Sequence, residues 1–265
     1  MKIIKIKKFS LNKREKIVIA SAILSVGLIS TQLVPFYLTY RFIIGLTILA
    51  YIVSFWTLRE GMDRLKAVIL LILPTLFTLA ISSYYFLLPV RWLTRLPVAF
   101  LFGITFYFLL LSQNVFNVAS SRTIPLYRVA STTILILTLI TAFSLFNVMF
   151  SFHMLFIWNG LGIFLISFPL ILQVIWSIEM EKLSSLIIVY TSILSLLIAE
   201  LGVILSFWPM STSMSSLVLS TGLYISLGIS THTFRERLNR GVVWEYFGWG
   251  VLIFIIAFFA TSWKG

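Results

Sequence analysis

The sequence predicts an all-α protein, a polytopic integral membrane bundle of about nine transmembrane helices. Hydrophobic residues make up 60% of the 265 residues and charged residues 11%, whereas globular domains are about 45–50% apolar and about 25% charged. Apolar stretches long enough to cross a bilayer recur along almost the whole chain. Lys and Arg are concentrated between alternate stretches. Lipid can solvate this much apolar surface directly, and a soluble fold of this length could not bury it.

Each apolar stretch predicts one helix, because backbone exposed to lipid must satisfy its own hydrogen bonds. A spanning helix needs about 20 residues. The predicted spans are residues 17–34, 42–58, 67–88, 96–112, 129–150, 155–176, 183–206, 216–232 and 247–263.

We expect the first span to be a retained helix and not a signal peptide. This predominantly apolar run of 18 residues is longer than the core of a typical signal sequence, and Pro35 follows where a small-residue cleavage site would stand. The sequence therefore divides into a basic cytoplasmic segment, residues 1–16, and a single transmembrane helical domain, residues 17–265.

Local signals support several helix boundaries. Asn12 with Glu15 three residues later forms the pattern of a capping box for a helix that begins before the membrane. Asp63 can cap the third helix. Pro74 and Pro169 lie inside predicted spans, where proline removes a backbone donor and favours a kink.

The distribution of basic residues predicts the orientation. With the N-terminus in the cytoplasm, alternating spans leave 16 of the 20 Lys and Arg residues on the cytoplasmic side. The outer side then holds the other four: Arg41, Arg91, Arg95 and Lys264. This bias predicts a cytoplasmic N-terminus and an external C-terminus, in a membrane that we expect to be the cytoplasmic membrane of a prokaryote.

Charge and composition indicate which binding partners and cofactors to expect. The net charge of +12 lies in loops beside the membrane, so we expect the lipid bilayer as partner, with anionic lipid at the basic N-terminus, and no nucleic acid. A membrane protein partner is a further possibility. The absence of cysteine excludes thiolate metal sites, and no phosphate-binding or metal-binding motif is present. We therefore expect no metal and no cofactor.

Glu200 is the acidic residue predicted to lie at membrane depth, six residues before the end of the seventh span. A carboxylate facing lipid costs about 3 kcal/mol or more. We therefore expect Glu200 to face the bundle interior, near Arg41, Arg91, Arg95 or His153. Two roles stay open, an ion, proton or head-group site and a structural ion pair.

Other polar residues complete the candidate site. Asn159 and Gln173 share a stripe of the sixth helix, and Gln113 and Asn117 share a face near the cytoplasmic end of the fourth. Such amides either line a cavity or join helices. On the outer side, the three arginines stand among tyrosines and a tryptophan, which suits either a phosphate head group or ordinary interfacial anchoring.

Small residues indicate close helix packing. Ser195, Ala199, Gly202 and Ser206 share one face of the seventh helix, and the eighth carries Gly222, Ser226 and Ser230 at steps of four. Because small residues let membrane helices approach closely, we expect these two faces to pack against each other.

Three functions are compatible with this pattern, and no catalytic residue can be assigned. The first is a transporter-like carrier of a small or lipidic solute, which depends on Glu200 and the amide stripes. The second is a non-catalytic scaffold or assembly subunit, which depends on the small-residue faces. The third is an enzyme acting on a lipid-linked substrate, which depends only on the outer cluster of arginines and aromatic residues.

Overall fold

The computed structural model describes residues 12–31, 34–87, 92–119, 126–180 and 183–261. Within these ranges the regular structure is entirely helical, which confirms the predicted all-α class. The helices are α1 (Lys13–Thr31), α2 (Phe36–Leu58), α3 (Arg64–Leu87), α4 (Trp92–Ala119), α5 (Tyr127–Ser151), α6 (Phe156–Glu179), α7 (Ser185–Ser206), α8 (Thr212–Phe234) and α9 (Arg240–Ala260).

Eight of the helices in the described part, α2 to α9, are long and apolar enough to cross a membrane. The protein is therefore a multi-pass helical bundle of the membrane type. Helix α1 begins with the charged residues Lys13, Arg14, Glu15 and Lys16. Its charge-free part, residues 17–31, is about 22 Å long, shorter than a hydrocarbon core of about 30 Å. A ninth crossing by α1 stays a prediction.

Successive helices run in opposite directions. Contacts join the start of one helix to the end of the next at four points along the chain: Lys16–Glu60, Tyr127–Ser177, Asn159–Ser206 and Tyr190–Phe234. We call the end of the bundle that holds Lys16 and Glu60 the proximal end, and the opposite one the distal end. The last described residue, Thr261, accepts a hydrogen bond from Trp208 at the distal end (3.0 Å).

Helix α5 lies at the centre of the bundle and α9 at its edge. α5 contacts α3, α4, α6 and α8, while α1 packs against α2 and α4. α9 packs against α8, and Ala257 is its buried residue. The other side chains of α9 are partly or fully exposed, which an apolar helix tolerates where lipid is the solvent.

Many buried hydroxyls in the described part are satisfied within their own helices, whereas those of Ser54, Ser167, Thr191 and Ser220 have no hydrogen-bond partner there. Thr78 donates to the Pro74 carbonyl oxygen (2.9 Å), and Thr141 donates to the carbonyl oxygen of Leu137 (2.7 Å). Ser195 likewise donates to the carbonyl oxygen of Thr191, one turn earlier (2.7 Å). These bonds keep polar groups from needing partners on other helices, so a buried Ser or Thr here does not by itself indicate a site.

The predicted boundary signals are partly confirmed. The Asn12 backbone N–H donates to the Glu15 carboxylate (2.8 Å), which is one half of the capping box. At α3, the Asp63 carbonyl oxygen accepts from the Ala67 N–H (2.9 Å), and the Asp63 carboxylate lies 3.4 Å from Lys66 Nζ. Asp63 therefore begins the helix through its backbone, and its side chain forms an ion pair.

Both predicted prolines lie inside helices, Pro74 in α3 and Pro169 in α6. Next to Pro74, the backbone N–H of Leu73 donates to the Gln173 side-chain oxygen of α6 at 2.8 Å. An amide from a neighbouring helix thus supports the backbone of α3 at the position where proline disturbs the helical hydrogen bonds.

Candidate functional site

Helices α6 and α7 approach closely because two glycines lie in their interface. A Cβ added at Gly160 of α6 would lie 2.6 Å from Cγ2 of Val203, and a Cβ added at Gly202 of α7 would overlap Cδ1 of Ile163. Neither position has room for even one more carbon unless its neighbour shifts. The glycines therefore set the distance between these helices.

The prediction that the small-residue face of α7 packs against α8 is wrong. Gly202 meets Ile163 of α6, and Ser206 accepts a hydrogen bond from the Asn159 amide of α6 at 3.1 Å. Where α8 approaches α7, Gly222 faces the bulky side chain of Leu201. A Cβ added at Gly222 would lie 3.1 Å from Cδ2 of Leu201. The pattern of small residues marked a close-packing face correctly but carried no information on which helix would cover it.

A groove of about 790 Å³ runs along the exposed side of the α6–α7 pair. Phe156, Gly160 and Phe164 of α6 line it at steps of four residues, so they share one face of the helix. Between these two aromatic residues, Val203 of α7 packs against Gly160. Val203 and Ile204 of α7 form part of the opposite wall. The surface is almost wholly apolar.

Glu200 is the exception in this groove. Its side chain is exposed and lines the α6–α7 groove, about 9 Å from the distal end of α7 at 1.5 Å per residue. Among the residues that the structure describes, no basic side chain pairs with its carboxylate. The predicted depth on the helix therefore holds, but the expectation that Glu200 faces the bundle interior is wrong.

The orientation of Glu200 follows from the faces of α7. Ile198 and Gly202 are buried, and each is two positions from Glu200, a rotation of about 200° at 3.6 residues per turn. The carboxylate therefore points away from the buried face and toward the side that lipid would cover.

The amides of α6 join helices and do not line the groove. Asn159 is 3% exposed, and besides Ser206 its amide nitrogen approaches the Met154 carbonyl oxygen at 3.3 Å. Gln173 is 1% exposed and accepts from Leu73 N–H. Fourteen residues separate the two amides, about 21 Å along a helix. Both amides are buried on α6, but Asn159 contacts α7 and Gln173 contacts α3.

The two amides of α4 differ from each other. Asn117 donates from its side chain to the carbonyl oxygens of Leu58 and Glu60, each at 3.0 Å. It therefore satisfies backbone acceptors at the end of α2. Gln113, one turn closer to the distal end, is 0% exposed, and its amide has no hydrogen-bond partner within the described ranges. Gln113 stays a candidate for binding, whereas Asn117 has a structural role.

Of the three distal arginines, only Arg41 has a described side chain. It is exposed near the start of α2, and its Nε donates to the hydroxyl of Tyr40 at 2.9 Å. Arg91 lies outside the described residues, and for Arg95 only the backbone of α4 is described. The basic N-terminal residues 1–11, for which we predicted contact with anionic lipid, also lie outside the described residues.

The six candidate residues whose side chains the structure describes do not form one site. α2 and α7 share no packed face, so Arg41 and Glu200 stand on separate surfaces. The amides occupy both ends of the bundle. Within the described ranges, no three His, Asp or Glu residues are grouped as metal ligands would be.

Sequence reasoning missed Gly160, the residue that shapes the groove. The signal was available as a glycine midway between Phe156 and Phe164 on one face of α6. Such a triplet allows a side chain of a neighbouring helix to pack between two aromatic residues, but which helix supplies that side chain is known only from the structure.

Comparison with known proteins gives one match. A family model described as a protein of unknown function (DUF5656) matches residues 43–260. The match runs from the second turn of α2 to the last residue of α9 and leaves α1 outside. No curated protein and no solved structure matches the chain.

Proposed function

The chain belongs to the DUF5656 family of unknown function, and we propose that it is a non-catalytic membrane assembly subunit that binds a transmembrane helix of a partner protein. The observation that carries this proposal is Glu200, a carboxylate without a partner in an apolar groove between α6 and α7. The proposed partner helix carries a Lys or Arg at the same depth.

The energetic argument concerns an unpaired charge near hydrocarbon. A carboxylate or ammonium group inside the membrane costs about 3 kcal/mol at the centre and less toward the interface. Two such groups of opposite sign lower each other's cost when they meet. Ionisable residues in membrane helices generally pair in this way. Glu200 therefore attracts a basic partner helix and favours one whose Lys or Arg lies at the same depth in the membrane.

The shape of the groove suits a helix. Its walls come from two antiparallel helices, and an α-helix with side chains is about 10–12 Å wide. Packing between membrane helices depends on close van der Waals contact, which the apolar lining of the groove offers. The partner helix would pack against Phe156 and Phe164 while its basic group reaches Glu200.

The experiment uses synthetic transmembrane peptides in liposomes. One dye-labelled polyleucine peptide carries a single Lys about 9 Å from one end, and a second carries Leu at that position. Energy transfer to dye-labelled protein measures association. We expect the Lys peptide to bind wild-type protein about tenfold more tightly than the Leu peptide, a difference of about 1.4 kcal/mol.

The substitution Glu200→Gln tests the role of the charge. It keeps the shape of the side chain and should abolish the preference for the Lys peptide. Glu245→Gln changes another exposed glutamate, near the proximal end of α9, and should preserve the preference. Equal association of both peptides with wild-type protein would refute the proposal.

Carriage of a lipidic solute is the second candidate. It is favoured by the same apolar groove, which is open toward the membrane, and by Pro169 inside α6, one of the groove helices. In this case Glu200 would meet a cationic head group. Labelled lipid would then move between the leaflets of proteoliposomes at a rate that Glu200→Gln lowers, with no peptide preference.

The orientation in the membrane completes the proposal. The proximal end, which follows the basic N-terminal segment, faces the cytoplasm of a prokaryotic cell, and the distal end faces outward. A reporter fused after Gly265 should then behave as external. Cytoplasmic activity of that reporter would reverse the assignment of the two ends.

A further inference from the structure

A second cavity lies at the distal end, between α2, α3 and α5, away from the α6–α7 groove. Its volume is about 390 Å³, within the usual range of small-molecule pockets. Ile43 and Ile44 of α2, Phe86 and Leu87 of α3, and Val148 of α5 give it apolar walls. Three helices line it, and it has about half the volume of the α6–α7 groove. This shape suits a flexible hydrocarbon chain.

Hydroxyl groups add a polar part to this distal cavity. Thr39, Ser83 and Ser151 line it together with the apolar residues. The hydroxyl of Ser151 donates to the Asn147 carbonyl oxygen at 2.7 Å. Ser83 has no hydrogen-bond partner among the residues that the structure describes, so its hydroxyl is available as a donor. Hydroxyls beside an apolar chamber match the glycerol and phosphate region of a lipid.

Arg41 is held next to Tyr40, a residue that lines this cavity. Its Nε donates to the hydroxyl of Tyr40 at 2.9 Å, and its guanidinium lies 5.6 Å from the centre of the Tyr40 ring. Tyr40 itself lines the cavity. One of the five guanidinium N–H donors is used, and no carboxylate pairs with Arg41 in the described part of the chain. The remaining donors suit a phosphate, which guanidinium binds through two parallel hydrogen bonds.

The depth of Arg41 agrees with a head-group contact. It is the sixth residue of α2, about 7.5 Å from the distal start of that helix. Tyr37 and Tyr40 are exposed at the same level, as in the aromatic belt of a membrane interface. In the sequence, the segments that join spans at this end contain basic residues and no Asp or Glu. The charge of the distal end therefore favours an anionic ligand over a zwitterionic one.

We propose that the cavity between α2, α3 and α5 is a binding site for an anionic phospholipid. The phosphate meets the Arg41 guanidinium and the Ser83 hydroxyl, and one acyl chain enters between Ile43, Phe86 and Val148. This site shares no lining residue with the α6–α7 groove, and it does not depend on the function proposed for Glu200.

Native mass spectrometry of the full chain tests this site. The purified protein receives phosphatidylglycerol or phosphatidylcholine with identical acyl chains, and the bound fraction of each lipid is titrated. We expect phosphatidylglycerol to bind more tightly than phosphatidylcholine, and Arg41→Gln to weaken its binding about tenfold, because the phosphate loses its hydrogen bonds to a charged group. Arg59→Gln removes an exposed arginine from the proximal end of α2 and should leave the titration unchanged.

Further variants separate the parts of the site. Ser83→Leu fills the cavity and should weaken both lipids, which keeps the test decisive if Arg41→Gln fails to fold. Glu200→Gln should change neither. Millimolar inorganic phosphate should not displace phosphatidylglycerol, because the acyl chain supplies part of the affinity. Equal binding of the two lipids, equal loss in Arg41→Gln and Arg59→Gln, or displacement by inorganic phosphate would overturn the proposal.

Discussion

Replacing Gly202 by leucine tests the packing of α6 against α7. In the structure, the first added carbon would overlap Cδ1 of Ile163. Ile163 is 0% exposed, so its side chain has no open space into which it can move. Leucine adds three more carbons beyond this first one. Overpacking of this kind costs about 1–3 kcal/mol.

Helix propensity acts in the opposite direction, which makes a matched control necessary. Leucine is favoured over glycine in a helix interior by about 0.8 kcal/mol. Gly248 lies inside α9, and a Cβ added there would have no neighbour within 4 Å. Gly248→Leu therefore gains the propensity without the overlap. The difference between the two variants measures the overpacking itself, about 1–3 kcal/mol.

The assay is thermal unfolding in detergent, followed by tryptophan fluorescence. We expect Gly248→Leu to unfold at or slightly above the wild-type temperature and Gly202→Leu to unfold below Gly248→Leu. Each kcal/mol corresponds to roughly 2–4 °C for a protein of 150–250 residues. Equal unfolding temperatures for the two variants would refute the close contact between α6 and α7.

Three further predictions use the same unfolding assay. Asn117→Leu removes the two hydrogen bonds to the carbonyl oxygens of Leu58 and Glu60 at the end of α2. It should destabilise the protein by about 1–3 kcal/mol. An unchanged unfolding temperature would contradict a stabilising role for these two bonds. Gln173→Leu removes the acceptor of a buried backbone N–H and should cost about the same, and a stabilised variant would show that the bond contributes nothing. The Lys16 hydrogen bond and charge lower the pKa of the Glu60 carboxyl below its usual 4.5. A lowered folded-state pKa adds stability above about pH 4.5 that is lost as pH falls through the folded-state pKa. The difference in unfolding temperature between wild type and Lys16→Gln should therefore shrink on acidification. A difference that grows as the pH falls would contradict a lowered pKa of Glu60 in the folded protein.

The sequence was sufficient for the fold class because the signal is local. Each apolar stretch is long enough to span a membrane, and lipid permits only internally hydrogen-bonded backbone there. Details that depend on a single helix also followed, such as the capping contact of Glu15 with Asn12 and the positions of Pro74 and Pro169. These features require no knowledge of neighbouring helices.

Helix orientation could not be derived in the same way. In water, the apolar stripe of a helix marks its buried face. Lipid is as apolar as leucine, so the lipid-facing and buried faces of α7 have similar apolar compositions. Glu200 was therefore placed at the right depth and on the wrong face. The small residues of α7 indicated a close contact, yet nothing in their pattern distinguishes α6 from α8 as its partner.

The exposure of position 200 to lipid is the central claim of this account. Because the chain contains no cysteine, Glu200→Cys gives a single site for a spin label in liposomes. Collision rates with oxygen, which concentrates in lipid, and with a water-soluble nickel complex then report the surroundings of that site. A membrane-facing groove predicts frequent collisions with oxygen and few with nickel. Frequent collisions with nickel would instead reveal an aqueous cavity, and few collisions with either would place the residue inside the bundle; both results would contradict the account.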